Sequence, residues 1–283
     1  MGAEYSAEEQ AILDDRQNNK VNENNYKMVA TFKDFKGFKL VEDIEKKYKL
    51  LNVLGQGAQG QVRRAKHKDA KIYCAIKIID KKSVQQDYVK DLLKKELTIL
   101  EEITHPLIMR IYELREDENF VYIVSEYCEN GSLWNCFLEL ATAKKKMPGE
   151  DDVKKIVRQI LLALNYMHKK NIVHRDIKLE NILVESKTNW EIKLTDFGMA
   201  SHYNEADKLE SPRLGSPLYM APEIIQRCKY DSKCDIWSTG VTAYILLSAG
   251  EMPFLGRTKE ELFENIKNKP LEFEESKWTH VSE

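Results

Sequence analysis

An α+β fold in two parts, β-rich first and mostly helical after, is what this 283-residue sequence predicts. Three observations predict it. From Tyr48 the pattern is that of strands, and the strands enclose a glycine cluster, 55-GQGAQGQV-62. The stretch 88-YVKDLLKKELTILEEI-103 then places apolar residues at helical spacing. A longer amphipathic stretch, 152-DVKKIVRQILLALNYMHKK-170, follows, and only short strand-like runs come after it.

A chain of this length buries roughly three quarters of its unfolded surface, as one two-lobed domain or two small ones. With 44 Lys and Arg against 46 Asp and Glu, no general attraction to nucleic acid or acidic lipid is implied. The five cysteines are odd in number and form no C-x-x-C, which favours reduced thiols in an intracellular, cytoplasmic protein. No apolar run is long enough to span a bilayer, and the N-terminus lacks a signal-peptide core.

Residues 1–40 are rich in Asn, Glu and Lys, lack apolar periodicity and read as a mobile extension. The opening MGAEYS fits the pattern for myristoylation of Gly2, a match short enough to arise by chance. One acyl chain gives only marginal membrane binding, and no nearby Cys or polybasic run adds a second anchor. Membrane contact is expected only if Gly2 is acylated.

The glycines come next. Three in a G-x-G-x-x-G pattern let a backbone approach phosphates closely. Asp80, 20 residues past Gly60, suits a dinucleotide-binding βαβ unit; Lys77 suits a different nucleotide loop; a plain turn is the third reading. The loop alone does not choose. A βαβ unit needs a helix here, yet 61–71 offers only Val62 and Ala65 as an apolar face, so a β-hairpin turning at HKDAK fits better. In the helix over 88–103, Val89, Leu92, Leu93, Ile99, Leu100 and Ile103 form the stripe, with Glu96 inside it. A carboxylate buried there without a partner costs several kcal/mol. Lys77 is the obvious cation; a stripe-edge Glu that reaches water is the alternative.

The helix over 152–170 carries Val153, Ile156, Val157, Ile160, Leu164 and Met167 on one face and leads into 173-VHRDIKLENILV-184. Then come 194-LTDFGMA-200 and 215-GSPLYMAPE-223. This ordered set resembles a eukaryotic-type protein kinase from about Tyr48 to the last residue, with Lys77, Glu96, Asp176, Asn181 and Asp196 in the family's order and spacing. The dinucleotide reading is thereby eliminated. The resemblance implies a two-lobed protein-kinase fold: N-lobe and hinge over 41–128, and a C-lobe over 129–283 that stops before the family's last helices.

It also implies ATP and Mg²⁺ as cofactors and Ser/Thr of protein substrates as acceptors. Gly55, Gly57 and Gly60 would lie over the phosphates, and Lys77, positioned by Glu96, would hold them. Asp196 and Asn181 would bind the metal. Asp176 would orient the acceptor hydroxyl, and Lys178 would neutralise the transferred group. Val62, Ala75 and Leu183 match the residues that sandwich adenine, with Ser125, Glu126 and Cys128 at the hinge. His174, Phe197 and Leu100 match a stack that joins the lobes, anchored by Asp235, for which an ordinary N-cap is the alternative. HRDIKLEN with Ser216 looks like a Ser/Thr kinase, and HPLIMRIYEL and 229–254 look like the calcium-dependent and calmodulin-dependent group.

Departures from the family pattern qualify this. Gln59 replaces a loop-tip aromatic, and Pro212 stands where an activation-loop phosphothreonine is usual, leaving Arg175 without an evident phosphate partner except Ser211 or Ser201. Ser132 replaces an acid of basophilic relatives, while Glu180 and Glu264 keep two others. No calcium-loop motif occurs, so the chain is not expected to respond to calcium. The C-lobe, lacking the arginine that pairs with Glu223, is expected to bare the apolar face of 241-VTAYILL-247 and to need a covering partner. A kinase-shaped scaffold with little catalysis is the alternative function.

Overall fold

The computed structural model describes residues 38–40, 43–57, 60–84, 87–203, 209 and 215–282. Two compact units divide the chain between Tyr127 and Cys128, one residue before the expected boundary.

In the N-terminal unit β1 (Phe38–Leu40), β2 (Tyr48–Gly57), β3 (Gly60–His67), β4 (Tyr73–Asp80), β5 (Ile111–Glu116) and β6 (Phe120–Glu126) form one sheet, ordered β1-β5-β6-β4-β3-β2. The β3–β4 pair is the antiparallel hairpin turning at 67–71 that the weak apolar face of 61–71 predicts, and the β2–β3 pair is a second one with Gly57 opposite Gly60. Helix α1 (Asp87–Glu102) follows β4 and buries Leu97, Ile99 and Leu100. The extension expected over 1–40 is corrected at its end. Phe38–Leu40 pairs in parallel with β5, Phe38 opposite Leu114, because an open sheet edge leaves amides and carbonyls that a short strand satisfies. Gly2 and the rest of the extension lie outside the described residues, as do Gln59, Ser211 and Pro212.

The C-terminal unit contains α2 (Leu133–Thr142), α3 (Glu150–Lys169) and β7 (Ile172–Val173), then the β8 (Ile182–Ser186)–β9 (Glu191–Leu194) hairpin and β10 (Ser201–His202), which pairs with β7. Helices α4 (Pro222–Ile225), α5 (Lys233–Leu247), α6 (Lys259–Asn268) and α7 (Glu275–Trp278) follow. Helix α3 buries Val153, Ile156, Ile160, Leu164 and Met167 and packs on α5. The hydroxyls buried along α5 are satisfied locally: Thr239 donates to the Asp235 carbonyl at 2.8 Å and Thr242 to that of Ser238 at 2.9 Å. Among the described residues no helix is long and apolar enough to cross a membrane, and all five cysteines are free thiols.

The face over 241–247 is not bare, which corrects the expectation. Val241, Ile245 and Leu246 are buried. The Tyr244 ring packs against Phe273 at 5.9 Å and Trp278 at 4.9 Å, and its hydroxyl donates to the Glu272 carbonyl at 3.0 Å. His280 Nε2 reaches the Leu247 carbonyl at 2.8 Å, and the Ser282 hydroxyl donates to Glu150 at 2.5 Å. The aromatic residues of the returning segment supply the cover that was expected of a partner. Glu223 is half-buried in the first turn of α4 and makes no ion pair among the described residues.

The N-terminal core holds a buried charge cluster. Glu113 on β5 accepts from Lys47 Nζ at 3.0 Å, Arg115 Nη2 at 2.7 Å and the Tyr48 hydroxyl. Burial alone would raise its pKa; hydrogen bonds from Arg115, Tyr48 and Lys47 outweigh it and hold the carboxyl below the usual glutamate range. Burial, with Glu113 beside it, pushes the Cys74 thiol up to about 12. A depressed folded pKa gives stability present above the unfolded value of about 4.3 and lost as pH falls through the folded one. Glu113→Gln is therefore expected to cost about 3 kcal/mol at neutral pH, at the low end for a broken buried pair because Lys47 is 27% exposed and can turn to water. Urea titrations from pH 3 to 7 should show the parent losing that advantage on acidification. Equal stability of the two proteins at pH 7 would exclude a stabilising role for the cluster.

Candidate functional site

The N-terminal unit gathers nine of the sequence-predicted residues. Register places Gly55 opposite Val62, Val62 opposite Lys77, and Ala75 opposite Ser125. With period-2 alternation, Val62, Lys77, Ala75 and Ser125 share one face of the sheet. Gly60 has φ +150°, and a Cβ there would lie 2.0 Å from the Ile78 carbonyl oxygen, so only glycine fits. A Cβ at Gly55 would meet no atom within 4 Å, and one at Gly57 only the Gly60 carbonyl at 3.9 Å. Bare backbone thus faces open space, which suits a phosphate.

Glu96, buried on α1, accepts from Lys77 Nζ at 2.7 Å. The sequence puzzle of a carboxylate inside an apolar stripe is answered by that lysine. Ser125 is buried with its hydroxyl donating to the Ala75 carbonyl at 3.3 Å, and Glu126 accepts from the Arg110 amide at 2.7 Å. Leu100 is buried in this unit.

In the C-terminal unit Asp176, Lys178 and Asn181 come together. Asp176 Oδ2 accepts from Lys178 Nζ at 2.6 Å and Asn181 Nδ2 at 2.9 Å. Its Oδ1 accepts from both the amide and the hydroxyl of Ser216 at 3.1 Å. Lys178 also donates to Ser216 Oγ at 2.9 Å, closing a ring of three side chains. Sequence motifs mark Ser216 only as an indicator of acceptor class; the structure adds it to the candidate site through these hydrogen bonds. The available signal was Gly215 before it: φ is +100°, and a Cβ would lie 2.8 Å from the Arg175 carbonyl, so glycine lets the segment close on Asp176. Leu183 bridges to Ser132, which caps α2, and Cys128 opens this unit half-buried.

The loop carrying Asp176 is held from below. Asp235, fully buried in the first turn of α5, accepts from the amides of His174 at 2.9 Å and Arg175 at 2.8 Å and faces His168 Nε2 at 2.9 Å. The cap reading of Asp235 does not hold: Ser232 occupies the N-cap position. His174 accepts the Asp176 amide on Nδ1 at 3.3 Å, so its Nε2 carries the proton and donates to the Thr195 carbonyl at 3.1 Å. Its ring lies 5.0 Å from that of Phe197. Arg175 is engaged by protein acceptors, the Met199 carbonyl at 2.5 Å and the Tyr230 hydroxyl at 3.4 Å.

Asp196 has φ +62°, strained for a non-glycine residue, yet its side chain is exposed between the buried Leu194 and Phe197. The Asn181 carbonyl accepts from the Thr195 amide at 3.0 Å, tying together the segments that carry Asn181 and Asp196. Among the described residues no three His, Cys, Asp or Glu cluster. The oxygen donors of Asp196 and Asn181 suit a hard cation such as Mg²⁺, whose further ligands are phosphate and water.

Residues 48–283 match the family model for the protein kinase domain. The chain is 40% identical over 243 residues to calcium-dependent protein kinase 5 of Plasmodium berghei (strain Anka), covering 85% of this chain and 41% of that protein. It is 37% identical over 249 residues to serine/threonine-protein kinase 33 of Mus musculus, covering 85% and 49%. With myosin light chain kinase A of Dictyostelium discoideum it shares 37% over 241 residues, 85% of this chain and 79% of that one. The chain thus spans less than half of the first two relatives.

Asp235→Asn keeps one acceptor oxygen and replaces the other by a donor, so one of the two amides is left facing an NH₂ group. The expected cost is about 2–3 kcal/mol, and amide exchange at His174 and Arg175 should accelerate while that at Ile76 in the other unit stays slow. Unchanged protection at both positions would show that Asp235 does not hold the loop.

Proposed function

Because the chain belongs to the protein kinase family, within the calcium- and calmodulin-dependent group of Ser/Thr kinases, we propose that it transfers the γ-phosphoryl group of ATP to Ser or Thr hydroxyls of protein substrates. The observation that carries this reading is the ring of Asp176, Lys178 and Ser216 on a loop anchored by Asp235.

The donor chemistry is that of the bound nucleotide: ATP supplies the phosphoryl group and Mg²⁺ offsets its charge. Everything else falls to the chain. Gly55, Gly57 and Lys77 bind phosphate, with Glu96 holding Lys77 in place while leaving it 23% exposed. Asn181 and Asp196 hold the metal. Asp176, aimed by hydrogen bonds from Lys178, Asn181 and Ser216, orients the acceptor hydroxyl and takes its proton as its oxygen bonds to the γ-phosphorus and the bond from that phosphorus to the bridging oxygen breaks, releasing ADP. Lys178, 2.6 Å from that carboxylate, brings a cation to where negative charge develops.

Two substitutions test this assignment. Asp176→Asn should abolish transfer of radiolabelled phosphate to a Ser/Thr peptide while mant-ATP binding in Mg²⁺ stays within about threefold; turnover within tenfold of the parent would refute the role. Ser216→Ala removes two hydrogen bonds around the same carboxylate and should lower kcat about tenfold to a hundredfold with KM for ATP unchanged, given roughly 1.5–3 kcal/mol for bonds to charged groups. Ser216→Thr keeps the hydroxyl and should restore most of the rate. Equal loss in both variants would mean the position acts through packing instead.

A further inference from the structure

A cavity of about 280 Å³ opens on the C-terminal unit, between the end of α2, the connection to α3 and the β8–β9 turn. None of its residues belongs to the site described above. Its floor is apolar, made by Leu140, Met147, Pro148 and the Trp190 ring, with the buried Cys136 beneath.

The walls are preformed. Gln159 on α3 fixes the turn, donating to the Trp190 carbonyl at 2.9 Å and accepting from the Ile192 amide at 3.2 Å. At the end of α2, Lys144 takes φ +50° and the Lys145 amide donates to the Leu140 carbonyl at 2.9 Å, turning the connection sharply. Lys187 Nζ and Glu139 pair at 2.6 Å, joining the turn to α2.

Charge at the rim is unbalanced. Glu139 is committed to Lys187, which holds its pKa below the usual range, and Asp152 accepts from the Gly149 amide at 3.2 Å and sits 3.8 Å from Lys155. Lys145 and Lys146 are exposed and have no ion pair among the described residues, although Lys145 is near enough to Glu139 to favour its charged form. Lysines outnumber carboxylates three to two in the lining, so the mouth carries a net positive charge. The volume lies just below the 300–1,000 Å³ usual for small-molecule sites and suits one or two side chains of a peptide better than a cofactor. An occupant complementary to this place has a bulky apolar side chain for the floor and carboxylates for the rim.

We propose that this cavity docks an acidic segment of a protein substrate, seating one apolar side chain on Trp190, Met147 and Leu140 and placing neighbouring carboxylates on Lys145 and Lys146. The word substrate rests on the phosphotransfer reading; the docking itself does not. Exposed lysines contribute chiefly to encounter and selectivity, so binding is salt-sensitive, while the apolar anchor supplies most of the affinity.

The test uses the whole chain and fluorescein-labelled decapeptides in which an Asp-Asp pair lies one to four residues from Leu, Ile, Phe or Met. Fluorescence anisotropy should find at least one peptide binding saturably with Kd on the order of tens of micromolar. That binding should weaken tenfold or more in Lys145→Glu/Lys146→Glu, and also when the peptide's Asp-Asp becomes Asn-Asn or its apolar residue becomes Gly. Lys68→Glu/Lys82→Glu, at exposed lysines of the other unit, should leave it unchanged. Appending the bound sequence to a phosphorylatable Ser peptide should lower KM about fivefold or more without changing kcat, an effect lost in the Lys145/Lys146 variant. The unappended peptide should have the same KM in both proteins. No saturable peptide, or equal weakening by the control pair, overturns the proposal. Peptide binding as described without phosphate transfer to any peptide would uphold the docking cavity and overturn the phosphotransfer reading.

Discussion

The loop that carries Asp176 in the C-terminal unit depends on one buried carboxylate. Asp235 receives the amides of His174 and Arg175, and this is what holds Arg175 at φ +66°. That backbone conformation costs a non-glycine residue about 1–3 kcal/mol, an amount two charge-assisted hydrogen bonds can offset. The next residue is Asp176. Its direction follows from the strained residue before it, so α5 sets the aim of a carboxylate far from it in sequence. His174 carries the constraint onward through its two ring nitrogens, one receiving the Asp176 amide and the other donating to Thr195, beside Asp196.

The N-terminal unit solves a related problem twice and differently. Glu113 is closed in by three donors and so serves as a structural charge, joining β5 to the start of β2. Glu96 is equally buried, but the side chain it accepts from is a single lysine, Lys77, at 2.7 Å. A carboxylate shared by three donors ties elements of a core together; one held to a single lysine fixes where that cation stands. The difference lies in how many donors each acid accepts from, not in its burial or in the exposure of its lysine, 27% for Lys47 and 23% for Lys77.

Covering surface matters as much as placing charge. Tyr244, Phe273 and Trp278 form an aromatic group over α5, and Gln159 ties the β8–β9 turn to α3. Apart from Phe273 with Trp278, each of these contacts joins residues that are 28 or more positions apart in the sequence. They decide which apolar faces are finished and which cavities stay open.

Much of this protein was legible along the chain. The strand hairpins and both long amphipathic helices follow from local period and glycine placement, and Lys77, Glu96, Asp176, Asn181 and Asp196 stand out through the resemblance of the ordered motifs to the kinase family. Those are properties of neighbouring residues, which sequence records directly. The pairing of Glu96 with Lys77 was half legible, because an acid in an apolar stripe demands a cation and few were at hand. What tertiary structure alone decided was of another kind. The role of Ser216 needed Gly215 to bring its segment against Arg175, and Asp235 needed the loop at 174–175 to arrive above the first turn of α5. The cover over 241–247 needed a return path, and β1 needed an open sheet edge. In each case the energy comes from a partner distant in sequence, and a hydrogen bond or a ring contact leaves no periodic trace in either partner's own segment.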